Sequence, residues 1–198
     1  INYRFYKDDV AKLEAFKAGE FDLVVEYSAK NWARSYKGPK FTSGEIIKRE
    51  LTHSNGAGMQ GFVMNLRRPQ FQDVRVRRAL DLALDYEWMN RQLFFGSYKR
   101  IYSFFNNSSM AATGLPSADE LKLLEPLRDK LDPVVFGPAP VPPNTDAPRS
   151  LRANLLEAVE LFRQAGWTYR DGALRNAKGE PFAFEIIDDQ SALSRVIS

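Results

Sequence analysis

Eight of the chain's eleven prolines fall between residues 100 and 149: Pro116, Pro126, Pro133, Pro138, Pro140, Pro142, Pro143 and Pro148. Proline offers no backbone N–H to a helix or a ladder, and its ring fixes φ at about −65°. This stretch therefore admits one short helix, from Ser117 to about Glu125, and otherwise reads as extended loop on the surface. A loop of that length within a compact domain is usually functional or a contact arm rather than filler. Regular structure must come from the two flanks.

The first flank opens with strand-like Asn2–Tyr6. A helix follows, capped by Asp8 or Asp9, carrying Val10, Leu13 and Phe16 at helical spacing and ended by Gly19. Phe21–Glu26 is a short apolar strand, so strand, helix and strand assemble naturally as a β-α-β unit. Residues 44–51 and 61–66 read as two further strands, joined by the turn-rich Asn55-Gly56-Ala57-Gly58. Asp73 caps a helix running to about Phe94, with Val76, Leu80, Ala83, Leu84 and Trp88 as its inner stripe and Arg77 with Asp81 on its solvated face. Beyond the prolines, a helix starts after Ser150, with Leu151, Leu155, Ala158, Val159, Phe162 and Ala165 on one face and Gly166 just past its end. Residues 167–179 read as a two-stranded flap and 182–187 as a strand, before a helix that the chain's end cuts short. The fold class expected is mixed α/β, a sheet with flanking helices.

Composition narrows the function. The apolar fraction of 44% supports a real core, and no stretch approaches the roughly 20 apolar residues of a membrane helix. Twenty-eight basic residues against 25 acidic ones leave a mixed surface, a poor electrostatic footprint for nucleic acid. Cysteine is absent, which removes thiol catalysis, disulfides and thiolate metal sites. No signal peptide or tail stands at either end, and both ends read as cuts through a larger protein.

Several motifs lose to simpler readings. Gly56–Gly61 matches G-x-G-x-x-G, but the dinucleotide mechanism needs that loop to open a helix, and strand-like Phe62–Asn65 follows. Arg67, Arg68, Arg75, Arg77 and Arg78 interleave with Asp73, Asp81 and Asp85, as on a charge-laced helix face. His53, the single histidine, has neither a nucleophile context nor a second ligand beside it. Asp188 and Asp189 end a strand just before a helix, where a side chain either caps the helix or meets a ligand. Tyr98, Tyr102, Phe104 and Phe105 with Asn106 and Asn107 suit either a peptide pocket or loop packing. No nucleophile–base pair and no metal set is visible, so the chain reads as a non-enzyme without cofactors.

Taken together, the motifs resemble a known family. Ala15-Phe16-Lys17-Ala18-Gly19-Glu20-Phe21-Asp22 is similar to the F-x-x-G-E-x-D unit of the family 5 extracellular solute-binding proteins. Residues 65–79 resemble that family's signature N…P-F-x-D-x-R-V-R-x-A, with Gln70 inserted between the proline and the phenylalanine. Ala83–Glu87 and Ala158–Trp167 resemble the helices that follow in the family. Ser28–Trp32, Arg91–Gly96, Ser103–Ser108 and Gly114–Pro116 are similar to its YejA type of oligopeptide-binding protein.

The resemblance implies one lobe of a type II periplasmic-binding-protein clamshell, residues 1–198 being most of the second lobe. It implies a substrate-binding component of an ABC importer that captures oligopeptides and delivers them to an inner-membrane permease, in the periplasm of a Gram-negative cell. A sensor or chaperone-like peptide-interaction domain on the same fold is the alternative. By position in the family, Val63, Asn65, Asp189, Gln190 and Ser194 face the ligand cleft, with Glu26 and Trp32 as further contacts.

Overall fold

A computed structural model describes residues 1–187, so Asp189, Gln190 and Ser194 lie outside the described residues. The chain divides into two compact units, one of Ile1–His53 with Asn90–Ser97, the other of Ser54–Met89 with the described residues from Tyr98 onward.

The first unit is built on short helices whose ends are written in the sequence. Helix α1, Asp9–Ala18, starts where the Asp8 carboxylate accepts the Ala11 N–H at 2.8 Å. It stops at Gly19, whose φ of 86° only glycine adopts without strain. Helix α2, Ala29–Arg34, is capped by Ser28, and α3, Pro39–Thr42, begins on a proline. Leu13, Ala15, Ala29 and Tyr36 are buried here. The rest of the core is an aromatic chain: Tyr6 and Phe16 against Phe21, Phe16 and Trp32 against Tyr36, and Tyr36 edge-on to Phe41.

In the second unit, α4 (Pro69–Gln72) leads into α5 (Val74–Leu82), which Asp73 caps through the Arg75 N–H. The expected single helix to Phe94 is in fact two. It breaks at Ala83–Asp85, and α6, Tyr86–Leu93, whose residues from Asn90 on count with the first unit, restarts where the Asp85 carboxylate accepts the Trp88 N–H at 3.1 Å. A side-chain acceptor placed to serve a helix start competes with continuing the previous helix. Arg77 and Asp81 do not pair as expected. Arg77 donates to the carbonyls of Phe71 and Gln72, closing the end of α4, and Asp81 bonds Arg100. Otherwise the arginine-rich face is charge-laced as read: Arg75 pairs with Asp73 and Arg78 with Glu157.

Helix α7, Ala118–Leu124, carries a full capping box between Ser117 and Glu120. The proline segment beyond it is ordered by hydrogen bonds to its neighbours in this unit. Gly114 accepts the Ala139 N–H at 2.7 Å, and Arg100 donates to the Pro143 carbonyl at 2.6 Å. The Thr145 hydroxyl sits 2.5 Å from Asp85 and 2.8 Å from Glu87. Asn154, wholly buried on the next helix, donates to the Asn144 carbonyl at 3.0 Å. That helix, α8 (Leu151–Gln164), packs on α5, so that Phe71, Val76, Ala79, Leu82, Ala158 and Phe162 form the core. Phe182 joins it edge-on to Phe71, Phe162 and Trp167.

The flap exists: β1 (Thr168–Arg170) pairs antiparallel with β2 (Ala173–Arg175). The segments at 2–6, 21–26, 44–51 and 61–66 were expected as strands, but none joins a ladder among the described residues, and no β-α-β unit forms. The 182–187 segment only begins to add to β2, through a bridge between Arg175 and Pro181 and the Phe182 N–H to Leu174 at 2.7 Å. A strand is defined by its neighbour's N–H and C=O groups as well as its own residues. Here the residues have strand character without that neighbour. The described fold is α/β in content, helix-rich with one small antiparallel sheet.

Acid should loosen α8. Arg163 first, then Gln164, draws the Glu160 carboxyl from 4.5 down to about 2, and Arg149 lowers Glu157. Carboxylates depressed in the folded state stabilise it above their unfolded value, and that stabilisation is lost as pH falls through the folded value. Helical circular dichroism is therefore expected to decline between pH 4.5 and 2, less so in Glu160→Gln. A decline confined to alkaline pH would contradict this.

Candidate functional site

The Gly56–Gly61 loop opens no helix. Residues 51–65 are irregular, and the next helix starts at Pro69. The Ala57 N–H donates to the Asn106 carbonyl at 2.7 Å, and Asn107 reaches the Asn55 carbonyl at 2.9 Å. This loop therefore supports the aromatic segment at 102–107 and lacks the following helix that the dinucleotide mechanism needs. Ser103, buried, shapes that segment by accepting the N–H groups of Phe105 and Ala112. Its rings point outward, Phe104 being 74% and Phe105 53% exposed, so loop packing does not consume them.

Among the expected contacts, Glu26 and Trp32 come together in the first unit. Glu26 accepts the Ser28 N–H at 2.7 Å and the Tyr36 hydroxyl at 3.0 Å. Burial, and then this bond to Glu26, push the Tyr36 hydroxyl well above its ordinary range, so it stays a donor at any physiological pH. Tyr36 lies 5.7 Å from Trp32, ring centre to ring centre. The Trp32 indole N–H donates to Glu50 at 2.9 Å, and the Lys48 ammonium sits 4.2 Å from the indole ring centre while bonding the Trp32 carbonyl. The result is an aromatic pair, half-buried Trp32 on buried Tyr36, with a carboxylate bonded to the polar group of each.

Lys48 and Glu50 were not among the expected contacts. Their signal was present: residues two apart on an extended segment share a face, and Ile47-Lys48-Arg49-Glu50 puts both charges on one side.

Val63 and Asn65 belong to the second unit. Val63 is 95% exposed. Asn65 uses its side-chain oxygen locally, accepting the Arg67 N–H at 3.1 Å, and turns the chain into α4. A cleft of about 270 Å³ between α1 and α2 is lined by charges of both signs, including Glu14, Lys17 and Arg34, together with Val10 and Leu13. Among the described residues no helix is long and apolar enough to cross a membrane, and no group of three or more His, Cys, Asp or Glu gathers as for a metal.

Residues 1–197 match the bacterial extracellular solute-binding proteins, family 5 Middle. The chain is 41% identical over 196 residues to the uncharacterized protein YejA of Escherichia coli K12, covering 98% of this chain and 32% of that protein. It is 38% identical to the probable peptide-binding protein YejA of Agrobacterium fabrum, over 100% of this chain and 33% of that protein. The peptidoglycan-binding protein YepA of the same bacterium is 32% identical, over 99% of this chain and 33% of that one. The chain thus spans about a third of the length of the curated relatives it matches. Proteins of this kind bind solutes and are not enzymes. The chain belongs to the family 5 bacterial extracellular solute-binding proteins.

Proposed function

We propose that the chain is most of one lobe of a longer, two-lobed binding protein that captures oligopeptides outside the cytoplasm and delivers them to an ABC permease. The match of residues 1–197 to the family, with a named peptide-binding relative aligned over the whole chain, carries this reading. The proposed setting is the periplasm of a Gram-negative cell. Val63, Asn65, Asp189, Gln190 and Ser194 are proposed as ligand contacts, as are Glu26 and Trp32. The physical logic is that of a shelf and a clamp. Aromatic faces and a few charges hold the ligand's constant features, backbone and termini, so side chains can vary. Closure of two lobes then reports occupancy as a hinge motion.

Calorimetry on the full-length protein with tri- and tetrapeptides tests this directly. Micromolar binding is expected, weakened about tenfold in Gln190→Ala by loss of a hydrogen bond to a charged or amide group. Unchanged affinity in that variant removes residues 189–194 from the site. The match to a peptidoglycan-binding relative favours a narrower reading, in which the ligand is a peptidoglycan fragment. Such a fragment outcompeting plain peptides of the same length would select it.

A further inference from the structure

We propose that the face of Trp32, edged by Glu50, is a binding site for a primary alkylammonium group, held closed here by the chain's own Lys48. The proposal deepens the peptide-binding reading and rests on it for the identity of the natural ligand.

Three features of the geometry point to it. The Lys48 ammonium lies 4.2 Å from the indole ring centre and also donates to the Trp32 carbonyl, so ring face and carbonyl together accept one alkylammonium head. The ring itself is fixed from outside the Lys48 segment, by its place on α2 and by Tyr36, while Glu50 reaches it from the same irregular segment as Lys48. Glu50 holds the indole N–H at 2.9 Å, and Tyr36, itself anchored to Glu26, flanks the ring at 5.7 Å. The occupant, in contrast, is an exposed side chain on a flexible four-carbon stem, in an irregular segment. A rigid acceptor with a tethered, removable guest is a plugged site. A free amino terminus or a lysine side chain offers the same head as the plug, and the Glu50 carboxylate at the edge of the ring favours positive charge over neutral amide.

The test titrates n-butylammonium into the full-length protein, wild type and Lys48→Met, following the indole N–H resonance of Trp32, which Trp32→Phe identifies by its loss. Saturable movement is expected in Lys48→Met at about a tenth of the concentration wild type needs. Lys48→Arg, which keeps a cation on the ring, is expected to behave as wild type. Equal midpoints in wild type and Lys48→Met, no movement in either, or an equal response to neutral n-butanol would overturn the proposal.

Trialanine and N-acetyl-lysine amide then compete with butylammonium in Lys48→Met. Displacement by the first assigns the site to a peptide's amino terminus, and by the second to a lysine side chain. Butylammonium binding that neither peptide displaces would uphold the ammonium site and remove it from the peptide-binding reading.

Discussion

Truncating Phe162 to alanine is expected to destabilise the second unit by about 3–5 kcal/mol, the range for removing a buried aromatic side chain. Phe162 is 6% exposed on α8 and meets the Phe182 ring edge at 5.3 Å, within the cluster that joins α4, α5 and the segment after β2. Val76 and Ala79 of the same cluster are fully buried and short, while Met64 and Leu174 pack against the cluster from its edge. Since whole domains are stable by only about 5–15 kcal/mol, this one change approaches the total. Phe162→Leu, which keeps most of the volume, should cost under about 1.5 kcal/mol. Denaturant midpoints check both. A cost below about 1 kcal/mol for alanine would mean that the α5–α8 contact is not the unit's core.

The second large effect is expected at Asn154. It is wholly buried, receives two bonds from Arg149 at 3.1 and 2.8 Å, and donates to the Asn144 carbonyl at 3.0 Å. Asn154→Leu preserves shape but strands that carbonyl and frees one side of the guanidinium, a cost of about 2–4 kcal/mol. Arg149 keeps Glu157 at 2.8 Å, so its charge is not left alone and the larger penalty of an orphaned buried ion does not apply. The loss should also be local. The proline segment is tied down at Asn144 and Arg149, so trypsin is expected to cut after Arg149 sooner in Asn154→Leu than in wild type. Destabilisation without earlier cutting would show that Asn154 serves α8 packing and not the strap.

Asn154 also shows where sequence reading stops. The helix was legible from its Ser150 cap, as were those begun by Asp8, Asp73 and Ser117, because a cap is a contact between residues two or three apart. The buried stripe was legible only in part: Ala158 and Phe162, expected on the inner face, are buried, but Leu155 and Val159, expected beside them, are 41% and 55% exposed, and Asn154 faces inward unforeseen. Hydropathy ranks residues one at a time and cannot foresee that a polar side chain will be buried by the partners that satisfy it.

The strand segments failed for a related reason. Val25 and Tyr27 alternate with the less exposed Val24 and Glu26, so the period of a strand is present without a ladder. Pairing partners are non-local, and the chain covers about a third of its relatives' length. The candidate site divides the same way. The motif around Trp32 was readable, but its carboxylate and ammonium come from Glu50 and Lys48, 18 and 16 residues further on, brought back by the fold.

Native mass spectrometry of the full-length protein, purified without denaturation, tests the central claim most directly. A series of bound masses that dissociate as intact short peptides is expected. Protein that is bare as purified, and still bare after incubation with a mixed peptide pool, would contradict peptide capture.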